Sequence, residues 1–172
     1  MDAVYVAAPH SEHLPLALLA LDAGKHVLVE KPAGLNADQA RVLAGAARRT
    51  GRFAQEAMWS RFLPQTTVLD RLVRDGALGD VLAVTADFGE LFPTDPEGRA
   101  YNPALGGGAL LDVGVYPIWF ARFVLGAPDR VTATGSMTTT GVDAQVALVL
   151  DYASRAQAVL TTRSSRRSPS TS

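Results

Sequence analysis

The 172-residue chain contains no cysteine, which excludes disulfides, thiolate nucleophiles and cysteine-ligated zinc. It also lacks an excess of either charge. Sixteen Lys and Arg stand against 17 Asp and Glu, a net charge of −1, so nothing electrostatic draws it to nucleic acid or an anionic membrane. No apolar run approaches the roughly 18 residues of a membrane span, and Met1-Asp2-Ala3-Val4 lacks the basic start of a signal peptide. There is no Gly-x-Ser-x-Gly elbow for a hydrolase serine. A Gly-x-Gly-x-x-Gly turn is missing too, and with it the usual cradle for a pyrophosphate. What remains is ordinary globular composition, 48% hydrophobic and 19% charged. A cytoplasmic protein with neither nucleic acid nor membrane as partner is the plain expectation.

The first third alternates strands with helices. Residues 2–8 read as an apolar strand, and Pro9-His10-Ser11-Glu12-His13 as a polar turn. Leu14 to Ala23 form a helix stopped by Gly24, and His26 to Val29 a short buried strand. A second helix runs from an Asn36 cap to Arg49, before a strand from Phe53 to Met58. This order implies βαβ units and a parallel sheet. The texture changes near Trp59 to Leu63. A helix over residues 63–75, a strand over 81–92, a proline-rich loop and a helix opened by Gly106-Gly107-Gly108 lead to three strands, at 130–137, 144–152 and 156–162. Short turns between those strands suggest a mostly antiparallel sheet, hence an α+β half. Residues 163–172 carry no apolar side chain and are expected to form a disordered tail.

Glu30-Lys31-Pro32 stands out because a buried strand rarely ends in an acid, a base and a proline. Open α/β sheets gather ligands at the carboxyl ends of their strands. A partly desolvated Lys31 can bind a substrate hydroxyl or ease its proton away. Glu30 could orient that amine or hold a ribose, and Pro32 could support a cis bond. A solvated Lys-Pro turn is the competing explanation. Asp112 and Tyr116, four residues apart, share one helical face, where a carboxylate and a phenol suit a polyol. Backbone capping by Asp112 and core packing by Tyr116 compete with that. His10 and His13 lack a third ligand nearby, so contacts to a cofactor suit them better than a metal. Trp59 and Phe88 are either core or the walls of a flat pocket.

In this order, the segments resemble the Gfo/Idh/MocA family of NAD(P)-dependent oxidoreductases. The matching text is residues 2–13, Ala23-Gly24-Lys25-His26-Val27-Leu28-Val29-Glu30-Lys31-Pro32, Glu56-Ala57-Met58-Trp59-Ser60-Arg61-Phe62 and residues 106–117. Tyr116 and the Trp-Ser-Arg-Phe block look most like the dihydrodiol dehydrogenase and glucose–fructose oxidoreductase branch. The resemblance implies the C-terminal part of a Rossmann sheet over residues 1–60, and an incomplete α+β substrate and oligomerisation domain over 61–162. It implies Lys31 and Tyr116 as the catalytic pair, with Asp112, Trp59 and Phe88 on the substrate. Ala8, Pro9, His13, Glu30, Lys31 and Arg61 would bind NAD or NADP. The substrate would be a sugar or diol, and the open sheet would join copies into a homo-oligomer.

The departure from the family is the absent phosphate loop and the strand that selects NAD over NADP. Members also continue beyond the last strand found here. The resemblance therefore implies a chain truncated at both ends and impaired by itself. A non-catalytic fragment that keeps only the sheet's interaction surface is the alternative.

Overall fold

The computed structural model describes residues 1–164, and most of the expected tail lies outside them. The first half is a parallel three-stranded sheet in the order β1 (Ala3–Val6), β2 (His26–Val29), β3 (Ala54–Glu56). Helix α1 (His13–Asp22) joins β1 to β2, and α2 (Ala37–Thr50) joins β2 to β3. Strand β2 has the expected bounds, whereas β1 and β3 are shorter than expected, because the residues around them leave the ladder as loops.

The start of α2 is locally determined. Asn36 accepts a hydrogen bond from the Gln39 backbone at 2.9 Å, while the Gln39 side chain accepts from Leu35 at 2.8 Å. One orphan donor of the first turn and the N–H of the residue before the cap are thereby satisfied. Both helices lie on one side of the sheet, where Val6, Leu21, Val27, Val29, Leu43 and Ala46 are buried together. Burying a side chain such as Leu21 stabilises the fold by about 1.5–3 kcal/mol. The loops at the strand ends are held in register by this core.

The second half opens with α3 (Pro64–Arg74) and builds a four-stranded sheet. Its strands are β4 (Ala83–Gly89), β5 (Arg130–Met137), β6 (Asp143–Asp151) and β7 (Gln157–Arg163), in the order β4-β7-β6-β5. The β5-β6-β7 part is antiparallel, whereas β4 pairs with β7 in parallel. The sheet is thus mixed: β4 reaches its partner through a long crossover carrying α4 (Val115–Leu125). That helix covers one face, its Ala121 buried against Leu148, Leu150, Ala158 and Leu160 of the sheet. The expected tail also begins later than its composition suggested. Arg163 belongs to β7, and Ser164 is buried with its N–H donating to Ala144 O at 2.8 Å.

The stretch Pro103–Leu125 is, among the described residues, long and apolar enough by length and composition to cross a membrane, which the sequence did not suggest. It is wound in three ways: a 3₁₀ turn (Pro103–Leu105), a π turn (Leu110–Gly114) and α4. It packs on β4 and β7 and carries a buried Asp112, the arrangement of a core helix.

Candidate active site

The loops after β1 and β2 lie side by side, as register demands in a parallel pair. His13, fully buried at the start of α1, ties them together. Its Nδ1 faces Pro32 O at 2.7 Å and its Nε2 faces Ala8 O at 2.8 Å. The intervening Lys31–Pro32 peptide is cis. Lys31 is presented from a backbone held on both sides: the Glu30 N–H donates to Val6 O at 2.9 Å, and His13 faces the Pro32 carbonyl.

The glycine triplet brings the second half against these loops. Gly106, at φ +76°, lies so close that a Cβ there would sit 2.5 Å from Leu35 Cδ2 and 2.9 Å from His10 Cβ. Its carbonyl accepts a hydrogen bond from His10 Nδ1 at 2.8 Å. At Gly108, φ +119°, a Cβ would meet Asp143 Oδ1 at 2.2 Å, and Asp143 accepts from the Leu110 N–H at 2.6 Å. The close approach permitted by these glycines is to other parts of the chain.

Asp112 sits in the π turn, only 2% exposed. The Lys31 ammonium donates to its Oδ1 at 2.7 Å and to its backbone carbonyl at 2.6 Å. Arg99 donates to the other carboxylate oxygen at 2.7 Å. Burial would raise this carboxyl, but the Lys31 hydrogen bond and charge, with Arg99 behind them, outweigh it and hold it below the usual carboxylate range. Each carboxylate oxygen thus carries one cation, and Asp112 holds Lys31 in place. Lys31 keeps one of its three donors for a ligand.

Tyr116 stands beside this group, its ring centroid 5.4 Å from Lys31 Nζ. Its hydroxyl accepts from Trp59 Nε1 at 3.1 Å, so its own proton is free to donate outward. Phe88 meets the ring edge to face at 5.2 Å. Two clefts converge here. One, of about 370 Å³, is lined by Ala7, Ala8, Pro9, His10 and Glu30; the other, of about 500 Å³, by Trp59, Phe88, Tyr116 and Phe120. Lys31, Asp112 and Arg99 line both. A donor at that junction can reach ligands in either cleft.

Several sequence expectations shift. Glu30 borders the polar cleft but does not hold the Lys31 amine; it accepts from the Tyr5 hydroxyl and, at 3.2 Å, from the Lys31 backbone N–H. That bond raises the Tyr5 phenol above its ordinary range. Arg61 lies outside both clefts, in a separate hollow with Phe62, Thr66 and Phe123. It follows Trp59 on the same 3₁₀ turn, whose winding sends the two side chains apart. Arg99 was missed because it sits in an irregular loop with no motif around it. Burial holds His10 below its ordinary range, although the Gly106 bond and Asp112 oppose this.

Two family models cover most of the chain. Residues 1–58 match the NAD-binding Rossmann fold of the oxidoreductase family GFO_IDH_MocA, and residues 67–171 match the GFO/IDH/MocA C-terminal domain. Trans-1,2-dihydrobenzene-1,2-diol dehydrogenase of Xenopus laevis is 42% identical over 162 residues, covering 93% of this chain and 48% of that protein. The Homo sapiens protein of that name is 38% identical over 154 residues, covering 88% and 46%. Among solved structures, the aldose-aldose oxidoreductase from Caulobacter crescentus, complexed with glycerol, superposes with a TM-score of 0.89 at 35% identity, covering 96% of this chain and 51% of that one. A 3-ketoreductase from Actinomadura kijaniata, with NADP and TDP-benzene, gives 0.82 at 33%, again covering 96% and 51%. The chain spans about half the length of the curated relatives it matches.

Proposed function

This chain belongs to the Gfo/Idh/MocA oxidoreductase family, and on that premise we propose that it serves hydride transfer between NAD or NADP and a carbinol of a sugar or cyclic diol. The observation that carries the proposal is the placement of Lys31 at the junction of the two clefts, with Tyr116 beside it in the wider one. The polar cleft fits one end of a nicotinamide cofactor. It lies at the carboxyl ends of two parallel strands, and its volume falls within the roughly 300–1,000 Å³ of small-molecule sites. Ala8, Pro9, His10 and Glu30 would hold the nicotinamide-ribose side there. When bound, the cofactor supplies or accepts the hydride.

The chain's own residues do the rest. Trp59 holds the Tyr116 oxygen and leaves its proton directed outward, which suits transfer to or from a substrate hydroxyl. The Lys31 ammonium, 5.4 Å from the Tyr116 ring centroid, would favour negative charge developing on the phenol oxygen. The aromatic walls present flat faces to a ring. Titration of the purified chain with NADH and NADPH, followed by nicotinamide fluorescence, tests the proposal. Saturable binding with turnover of a cyclic diol or an aldose supports it; no binding at millimolar cofactor sinks it.

A second reading rests on β5, exposed at all eight positions. That surface suits sheet-to-sheet pairing of two copies, with or without catalysis. Sedimentation equilibrium of the chain, with Val131→Lys on β5 as the disrupting variant, tests it. A monomer at all concentrations rejects the pairing.

A further inference from the structure

We infer that Arg99 is a positioning residue for the Lys31 ammonium, acting through the Asp112 carboxylate; this rests on the oxidoreductase reading of the same site. The geometry leaves Asp112 one freedom. Its backbone carbonyl fixes Lys31 Nζ at 2.6 Å, and Oδ1 receives a second proton at 2.7 Å. Rotation of the carboxylate about its bond to Cβ would still allow both oxygens to crowd the ammonium. Arg99 Nη1, 2.7 Å from Oδ2, stops that rotation. Each oxygen has one cation, and the third donor of Lys31 stays available on the Tyr116 side. Without Arg99, Oδ2 would be a buried acceptor without a partner, and it would turn to the nearest donor, Lys31.

Arg99 is half exposed, yet it is delivered from a fixed segment. Ala100 and Tyr101, which follow it, are buried. The Ala100 carbonyl accepts from the Gly108 N–H at 3.0 Å, and the Tyr101 hydroxyl donates to Ser164 O at 3.1 Å. The guanidinium itself lies over the Phe92 ring, 5.3 Å from its centroid. A planar guanidinium with a face on an aromatic ring and an edge on a carboxylate is poorly replaced by lysine. The loop between β4 and the glycine triplet thus acquires a purpose: it carries the second cation to Asp112.

The test compares wild type, Arg99→Gln and Arg99→Lys. NMR follows the Asp112 carboxyl carbon and the Lys31 side-chain signals in the unliganded protein. In Arg99→Gln, the carboxyl should titrate at higher pH and the Lys31 signals should move; Arg99→Lys should return both part of the way. In the turnover assay, kcat should fall roughly tenfold, the size of one lost charge-assisted hydrogen bond, with KM for cofactor and alcohol nearly unchanged. Unmoved Lys31 signals in a folded Arg99→Gln protein would overturn the inference, as would a loss confined to KM, which would make Arg99 a ligand contact. Should Arg99→Gln fail to fold, Arg99→Lys alone decides, because its shorter reach must still shift the Lys31 signals. The NMR readout needs no turnover. A wild-type chain inactive on every alcohol would refute the oxidoreductase reading while leaving the Arg99–Asp112–Lys31 linkage to be judged separately.

Discussion

Lys31 Nζ meets Asp112 twice, at 2.7 Å through the carboxylate and at 2.6 Å through the backbone carbonyl, across 81 residues of sequence. The first contact depends on a side chain and the second does not. Asp112→Asn therefore keeps the backbone bond but leaves Lys31 and Arg99 without their shared negative charge. Its amide group also has to turn a donor toward one of two cations. We expect unfolding free energy to fall by about 1–3 kcal/mol, measured by urea denaturation at pH 7. Because Arg99 is half exposed, water offsets part of the loss. A variant as stable as wild type would mean that the ion triad contributes nothing to the fold.

The same carboxylate sets a pH dependence. Asp112 is held below the ordinary range in the folded protein, whereas an unfolded aspartate titrates near about 3.9. The unfolded chain therefore takes up this proton first as pH falls. The stabilisation is complete above about pH 4 and is lost as pH drops through the lower folded value. The stability gap between wild type and Asp112→Asn should be constant from pH 7 to 5 and narrow below pH 4. A gap that widens on acidification would reverse the sign of the argument.

Much of this arrangement is legible in the sequence because the relevant signals are local. Gly24 and Gly51 end helices where the apolar pattern stops, and Asn36 begins one. Lys31 is marked by its position at a strand end, and Tyr116 by its spacing from Asp112. What is not legible depends on distant partners. Nothing near Asp112 says that Lys31 and Arg99 will occupy both its oxygens, and nothing near Arg99 marks it at all. The parallel β4–β7 pairing is equally hidden, since a strand's pattern shows which face it buries but not the direction of its neighbour. Arg61, which a matching motif put near the cofactor or substrate, lines a separate hollow with Phe62, Thr66 and Phe123.

Gly106 offers a test of how the two halves are joined. Its φ of +76° disfavours a side chain, and an added Cβ would overlap Leu35 and His10. The strain of a left-handed residue is about 1–2 kcal/mol, and the overlap adds to it by pushing His10 off the Gly106 carbonyl. Gly106→Ala should lower stability by at least the strain, measured by thermal or urea unfolding. It should also remove the Gly106 carbonyl bond that opposes the burial shift of His10, so the NMR titration of this histidine should move further below its ordinary range. An unchanged His10 titration in a destabilised variant would place the strain elsewhere.

Tyr116→Phe separates proton transfer from binding. The phenol oxygen accepts from Trp59 Nε1 at 3.1 Å, and its ring touches Phe88 edge to face. Phenylalanine keeps the ring contact and the apolar wall, so the wide cleft should hold its shape. It removes the acceptor for Trp59, which is exposed enough at 59% to satisfy its N–H with water. Stability should therefore change little. The lost hydroxyl is the group proposed to exchange a proton with the substrate, and general acid–base catalysis contributes about 10²- to 10⁴-fold. We expect kcat to fall within that range, with the Kd for NADH or NADPH nearly unchanged, because the polar cleft does not include Tyr116. The measurement is steady-state turnover beside a fluorescence titration of the same preparation. Equal losses in both would assign Tyr116 to cofactor binding and remove it from the proton path, leaving Lys31 and Arg99 as the donors at the junction.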